Sequence, residues 1–274
     1  RPPRSTLFPY TTLFRSQEEV QAALYRALGT FVRSGRVSKL ILLHGPNGSA
    51  KTSTIAALFR GMEAYSRTRE GALYRFHWVF PSERRLKGGG LGFGPHTETG
   101  ELSTYAHLEG DALDARLSCP MKDHPLLLVP REERRRLLEE RCRPTAREGA
   151  RESDFVLSDY LVDGELCHTC RQVHDALLTA YRGDWLKVLR HVQVERFYVS
   201  SKYGRAIATV EPQMHVDANA HQITADRSIA NLPRALQSVP LFEIHGPLVS
   251  ANRGMLEFAD LLKRPIEAFK YLLT

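Results

Sequence analysis

A short glycine-containing loop between an apolar run and a helix-like segment constrains this chain more than any other feature. The loop follows the apolar residues 40–43 and consists of Gly45, Pro46, Asn47, Gly48, Ser49, Ala50, Lys51 and Thr52. Small residues let a backbone wrap around a polyphosphate, and the N–H groups at the start of a helix favour an anion. The pattern therefore predicts a phosphate-binding loop that binds ATP.

Two residues of this loop carry its expected chemistry. Lys51 is predicted to reach the β- and γ-phosphates, and Thr52 is predicted to hold Mg²⁺. The usual pattern G-x-x-x-x-G-K-[ST] has glycine directly before the lysine, whereas this chain has Ala50. A methyl group is tolerated there when the backbone keeps right-handed helical angles, which we expect for Ala50. A second glycine-rich run, residues 87–94, lacks the following Lys-Ser/Thr pair and helix that a phosphate loop requires.

Residues 1–16 differ in character from the rest of the chain. They contain three arginines and no acidic residue, and their order resembles a translated sequencing adapter. A basic targeting peptide is the alternative, but the segment has neither a continuous apolar stretch nor helical amphipathicity. We therefore expect a non-native segment followed by one domain, residues 17–274, which is a fragment truncated at both ends.

Composition places the remainder among ordinary globular proteins. Hydrophobic residues make up 42% of the chain and charged residues 25%, and no apolar stretch is long enough to cross a membrane. Three of the seven excess positive charges lie in residues 1–16, so the remaining +4 does not support nucleic acid as a partner. Four cysteines without a secretory signal predict a reducing, cytoplasmic location.

The spacing of apolar residues predicts an α/β fold. Helices are expected at residues 17–34, at 52–65, from 131 into a charged loop, at 173–189 as one or two helices, and at 254–262. Strands are expected at residues 40–43, 72–80, 194–200, 205–210 and 241–244, with a hairpin turn between the third and fourth. Residues 81–153 are polar and rich in glycine, which predicts a long, loop-rich insertion.

Several blocks of sequence resemble the AAA-type ATPase domain of the PrkA-type serine protein kinase family. The blocks are residues 65–68, 123–125, 164–167, 211–217, 224–233, 251–254 and 261–272, and the resemblance extends over residues 17–274. It implies a P-loop NTPase with a parallel-sheet core and helices on both faces, which uses ATP and Mg²⁺. It also implies a cytoplasmic homo-oligomer, protein substrates phosphorylated on serine or threonine, and a kinase-related C-terminal domain outside this chain.

The acidic pair by which P-loop ATPases hold Mg²⁺ and polarise water is not evident. Residues 246–254 are similar to a pattern in which two acids precede Asn-Arg, but Val249 and Ser250 stand at those positions. Glu257 and Glu243 are the candidate replacements. The alternative is that Glu257 and Asp260 form the exposed face of a helix.

Two further residues are candidates for nucleotide contacts. Asn252 is positioned to sense the γ-phosphate, and Arg253 to act as an arginine finger on a neighbouring subunit. The favoured function is thus an ATP-driven module of a serine/threonine kinase, with Lys51, Glu257 and Arg253 as its catalytic residues. A nucleotide-gated regulatory or scaffold module with little or no hydrolysis stays open, because the acidic pair is missing and no His-Arg-Asp kinase signature occurs.

A separate hypothesis concerns the cysteines. Cys167 and Cys170 have the two-residue spacing with which two thiolates share one metal ion, and Cys119 with His124 supplies a second pair for structural zinc. Cys142 and His168 are spare candidates. Two alternatives remain, namely buried reduced cysteines and a thioredoxin-like redox pair, although no βαβ pattern surrounds the motif.

Overall fold

A computed structural model describes residues 18–34, 40–82, 104–108, 110–142, 158–222, 232, 234–237, 239 and 241–263. Its helices are α1 Glu18–Ser34, α2 Lys51–Arg67, α3 Arg131–Cys142, α4 Asp159–Asp163, α5 His168–Ala180, α6 Trp185–Leu189, α7 Arg234–Gln237 and α8 Pro247–Ala251. Its strands are β1 Leu73–Pro81, β2 Leu113–Ser118, β3 Val192–Phe197, β4 Ile207–Val210, β5 Asn219–Gln222, β6 Phe242–His245 and β7 Met255–Phe258. The α/β class is as predicted. Residues 1–16 and 87–94 lie outside the described residues, as does most of block 224–233.

The largest sheet has the strand order β2-β1-β3 and is antiparallel throughout. Its middle strand, β1, is buried on both faces from residue 76 to residue 80. Phe76, Trp78 and Phe80 fill the main core, and each buried side chain of this size contributes about 1.5–3 kcal/mol. Strand β2 falls within the predicted loop-rich insertion, so part of that segment belongs to the sheet.

Two smaller sheets follow in the chain. Strand β4 pairs in parallel with β7, and β5 pairs antiparallel with β6. The predicted hairpin between residues 194–200 and 205–210 is wrong beyond one bridge, Ser200 with Arg205, because β3 pairs with β1 and β4 pairs with β7. Within the described residues, the predicted parallel-sheet core is limited to the β4-β7 pair.

Helix α2 packs beside that parallel pair. Phe59 lies in a buried cluster with Phe197 and Ile207, and Met255 of β7 packs against it. Met255 also contacts the cluster of Leu24 from α1 and Leu58 from α2, together with Ile41. Residues 40–46 lie in no strand of the described structure, which differs from the prediction for residues 40–43. The helix that follows the phosphate loop and strand β7 therefore share one core.

No helix in the described part of the chain combines the length and the apolar character needed to span a membrane.

Candidate functional site

The predicted phosphate loop forms a tight turn directly before α2. The Ser49 N–H donates to the carbonyl oxygen of Pro46 at 3.3 Å, and Lys51 begins the helix. Thr54, whose side chain is buried against the core, donates from its hydroxyl to the carbonyl oxygen of Ala50 at 2.9 Å. Lys51 and Thr52 thus lie in the first helical turn, where backbone N–H groups have no intrahelical acceptor.

The ammonium group of Lys51 lies across the loop that precedes it. Nζ donates to the carbonyl oxygens of Gly45 at 2.7 Å and Pro46 at 2.8 Å, and to Oγ of Ser49 at 3.3 Å. A flexible side chain can exchange such contacts for phosphate oxygens, because an ammonium group bonds more strongly to an anion than to a neutral carbonyl. The geometry provides a cation and a helix N-terminus within one turn of chain.

Ala50 does not adopt the conformation predicted for it. Its backbone angles, φ 57° and ψ 22°, lie in the left-handed region rather than the right-handed one. A side chain in that region costs roughly 1–2 kcal/mol, because Cβ approaches the following carbonyl oxygen. The expectation of right-handed angles was wrong, since the turn into α2 imposes at Ala50 a geometry that favours glycine.

The segment expected to carry an acidic pair is a short helix. Val249 and Ser250 belong to α8, and their carbonyl oxygens accept hydrogen bonds from Nζ of Lys122 at 3.0 and 2.9 Å. Burial lowers the pKa of Lys122 to about 8. A lysine therefore caps the carboxyl end of this helix.

Asn252 and Arg253 point towards other loops of the same chain. Asn252 donates from Nδ2 to the carbonyl oxygen of Met121, and Arg253 donates from Nη1 to those of Tyr74 and Lys122. The guanidinium carbon also lies 5.2 Å from the centre of the Phe197 ring. Burial lowers the pKa of Arg253. The structure thus brings both residues to the loop at residues 119–124.

The candidate acids lie on strands or at a strand end. Glu257 occupies β7, where its carboxylate accepts a hydrogen bond from Oγ1 of Thr209 at 2.8 Å. Asp260 follows the carboxyl end of β7, is exposed, and pairs with Lys263 at 2.7 Å. Glu243 lies on β6 and pairs with His245 at 3.4 Å. The predicted helix over residues 254–262 is wrong, because β7 pairs in parallel with β4.

Three cysteines and one aspartate meet where β2 ends and α5 begins. The potential ligand atoms of Cys119, Asp123, Cys167 and Cys170 all lie within 4.8 Å of one another. Cys119 follows β2 directly, Cys167 is the N-cap residue of α5, and Cys170 lies in its first turn. The motif of Cys167 and Cys170 and its pairing with Cys119 are as predicted.

His124, predicted as the fourth ligand, does not belong to this cluster. Its Nδ1 accepts a hydrogen bond from the N–H of Leu126 at 3.2 Å, which uses the nitrogen in a cap of the following turn. Burial lowers the pKa of His124 to about 4. Asp123 takes its place, because Lys122 has a left-handed backbone (φ 55°) that turns the chain between Cys119 and Asp123. The side chain of Cys142 lies outside the described residues, and His168 is exposed on α5.

Hydrogen bonds inside the cluster tune its acidity. The hydrogen bond between Cys119 and Cys167 lowers the pKa of the Cys167 thiol and raises the pKa of the Cys119 thiol. Burial raises the pKa of Asp123 to about 6. One oxygen of that carboxylate accepts the N–H of Cys167 at 2.8 Å, and the N–H of Asp123 donates to Sγ of Cys119 at 3.2 Å. Cys167 is therefore the thiol of this group most readily ionised.

Comparison with known proteins decides the family. Residues 105–274, more than half of the chain, match the family model described as the PrkA AAA domain. The chain belongs to this family. The PrkA resemblance is thereby confirmed over a range that includes the cysteine cluster, Asn252 and Arg253. No match was found among curated proteins or among solved structures.

The phosphate loop of this PrkA-family chain lies before the matched range. Its assignment depends on its spacing and on the local geometry of residues 45–52, and it stays a prediction.

One residue of the cysteine cluster, Asp123, is not predicted from the sequence as a site residue, and its local signal is weak. Asp123 stands four residues after Cys119, a spacing that closes a site only if the intervening chain turns.

Proposed function

We propose that this chain is the ATP-binding and ATP-hydrolysing module of a PrkA-type serine/threonine protein kinase. The observation that carries the proposal is Lys51, whose ammonium group lies across a small-residue loop at the N-terminus of α2. Membership of the PrkA AAA domain family supports nucleotide use. Protein substrates and assembly into a homo-oligomer are part of the proposal.

Phosphate binding would use the backbone as well as Lys51. The N–H groups of the first turn of α2 face the preceding loop, and a helix N-terminus stabilises an anion by about 0.3–1 kcal/mol or more. Lys51 would leave its loop carbonyl acceptors and donate to the β- and γ-phosphates. Thr52, exposed in the same turn, supplies a hydroxyl oxygen that fits Mg²⁺. Mg²⁺ at this position would neutralise charge on the phosphates.

We propose Asp260 as the acid that orients the attacking water, with Glu257 as the second candidate. Met255, five residues before Asp260, packs against the buried cluster of Leu24 and Leu58. Ile41, four residues before Gly45, packs against the same cluster. This shared packing supports a common location for the end of β7 and the phosphate loop. Lys263 would exchange its pairing with Asp260 during turnover. Glu257 is less suited to this role because Thr209 already bonds to its carboxylate.

The test is calorimetric binding of Mg·ATP to the chain and to its Lys51→Ala variant, followed by phosphate release. Lys187→Ala, which removes an exposed lysine on α6, is the matched control. We expect binding by the chain and by the control, and none by Lys51→Ala. We expect Asp260→Asn to bind ATP but to lose ATP turnover. If Glu257→Gln loses turnover and Asp260→Asn does not, Glu257 is the acid that orients the attacking water. If no folded variant binds ATP, the proposal is wrong.

A regulatory module with slow or no hydrolysis is the second candidate. Its support is that Val249 and Ser250, which replace the expected acidic pair, lie in α8 and bond to Lys122. Binding of ATP with no phosphate release, both in the chain and in Asp260→Asn, is the outcome this candidate predicts.

A further inference from the structure

The cysteine cluster has the dimensions of a tetrahedral metal site. Sγ of Cys119 lies 3.8 Å from Sγ of Cys167. A tetrahedron with metal–sulfur bonds of about 2.3 Å has edges of about 3.8 Å, whereas a disulfide bond measures about 2.05 Å. All four potential ligand atoms lie within 4.8 Å of one another, so small side-chain shifts would bring each of them to one ion.

Burial distinguishes this group from a chance surface cluster. Cys119, Cys170 and Asp123 expose only 4%, 1% and 5% of their surface. A buried carboxylate is costly unless it is paired or coordinates a metal, and Asp123 lies next to three sulfur atoms that bind soft cations. The backbone N–H of Asp123 already donates to Sγ of Cys119, a contact that stabilises sulfur in the thiolate form.

Nearby cations compensate the charge of such a site. Three thiolates and one carboxylate around a divalent ion leave a net charge of about −2. Lys122 and Arg253 both interact electrostatically with Cys119, so they offset this charge. The four protein ligands would leave no open position, which is the property of structural rather than catalytic zinc.

We infer that Cys119, Asp123, Cys167 and Cys170 bind one structural zinc ion. The ion joins the loop after β2 to the N-terminus of α5. That loop holds the segment after α8 through three contacts: Lys122 with the α8 carbonyls, Met121 with Asn252, and the Lys122 carbonyl with Arg253. Zinc therefore fixes the position of the Asn252–Arg253 segment. The zinc content of the chain can be measured without ATP.

The first measurement is the metal content of the reduced, purified chain by mass spectrometry. About one zinc per chain is expected, and X-ray absorption should give zinc–sulfur distances of about 2.3 Å. Replacement by cobalt(II) should produce an intense thiolate-to-metal charge-transfer band and the visible bands of a tetrahedral ion. Reduced chain that neither contains zinc nor takes up zinc or cobalt when supplied would overturn the inference.

Variants separate the metal site from simple core packing. Asp123→Asn removes one ligand at constant size, and we expect zinc affinity to fall at least about tenfold, since even outer-shell changes cost about 10–100-fold. Cys170→Ser should lose the cobalt charge-transfer intensity of one thiolate. Asp175→Asn, which removes an exposed carboxylate on α5, is the matched control and should retain full zinc. Equal zinc affinity in Asp123→Asn and this control would show that Asp123 is not a ligand.

The redox alternative predicts a different result. A thioredoxin-like pair would be metal-free and would form a reversible disulfide between Cys167 and Cys170. Thiol counting under mild oxidation, with and without zinc, decides between them. We expect zinc to protect all three thiols, and rapid disulfide formation in the presence of zinc would contradict the zinc site.

Discussion

Arg253 donates a hydrogen bond from Nη1 to the main-chain carbonyl oxygen of Lys122 over 2.9 Å. The side chain of Lys122 bonds to the same stretch of chain, because its ammonium group donates to the carbonyl oxygen of Ser250 at 2.9 Å. The two residues thus connect the loop that carries the cysteine cluster to the chain that leads into β7. In this arrangement the Arg253 side chain joins two segments of its own chain.

Replacement of Arg253 by alanine should therefore destabilise the fold. The carbonyl oxygens of Tyr74 and Lys122 would lose their donor, which we expect to lower the free energy of unfolding by about 1–3 kcal/mol. Urea denaturation measures the change. Arg135→Ala, at an exposed ion pair with Asp163, is the control and should change it by less than about 0.5 kcal/mol.

The same variant tests the arginine-finger prediction. An arginine that acts across a subunit interface would let a mixture of Arg253→Ala and Lys51→Ala recover ATP turnover, because each would supply what the other lacks. We expect no recovery, since the guanidinium bonds within its own chain. Recovery of turnover on mixing would support the finger.

Gly254 should not tolerate a side chain. A Cβ atom at this position would lie 1.6 Å from the carbonyl oxygen of Ala206, which accepts a hydrogen bond from the N–H of Met255. Gly254→Ala must separate β4 from β7, and we expect a loss of about 3 kcal/mol or more by urea denaturation. Gly183→Ala is the control. It has left-handed backbone (φ 87°) and open space, so it should lose only about 1 kcal/mol.

The parts of the fold that the sequence predicts are those encoded by long, local periodicity. Helix α1 and helix α2 each repeat apolar residues over several turns, and β1 is rich in aromatic residues. The failures involve short segments whose state depends on distant partners. Strand β4 has four residues, and nothing near it in the sequence specifies a parallel partner that begins at Met255.

The candidate site divides in the same way. The predicted phosphate loop is contiguous, so the sequence alone defines its residues, and the helix expected after it is α2. The cysteine cluster joins segments more than 40 residues apart, and the choice of Asp123 over His124 depends on the left-handed turn at Lys122. The strain at Ala50 is likewise a consequence of the turn into α2 and has no signal in composition or spacing.

Replacing Ala50 by glycine should relieve this strain. Relief of the left-handed alanine gains roughly 1–2 kcal/mol, part of which is offset by about 0.4–1 kcal/mol of added freedom in the unfolded chain. We expect a net increase in unfolding free energy and tighter Mg·ATP binding. Ala57→Gly, the same change at a buried position within α2, is the control and should destabilise. A lower stability for Ala50→Gly would show that the left-handed turn is not strained.

Acid should destabilise the chain through buried histidines. His191 is almost fully buried, donates from Nδ1 to the carbonyl oxygen of Val79 at 2.9 Å, and lies 2.6 Å from the hydroxyl of Tyr181. Burial lowers its pKa, so as pH falls below about 6.5 the unfolded chain takes up a proton before the folded one. The contribution of His191 to the free energy of unfolding is therefore present in full at neutral pH. It is lost as the pH falls towards the lower pKa of His191 in the folded chain.

A comparison of variants isolates this contribution. His191→Asn keeps a donor for Val79 but removes the titration, so its melting temperature should fall less than that of the unchanged chain between about pH 7 and about pH 5. His215→Gln, at an exposed position, is the matched control and should keep the original pH dependence. Parallel curves for His191→Asn and the unchanged chain would assign the acid sensitivity to other groups, of which His124 is the next candidate because burial lowers its pKa to about 4.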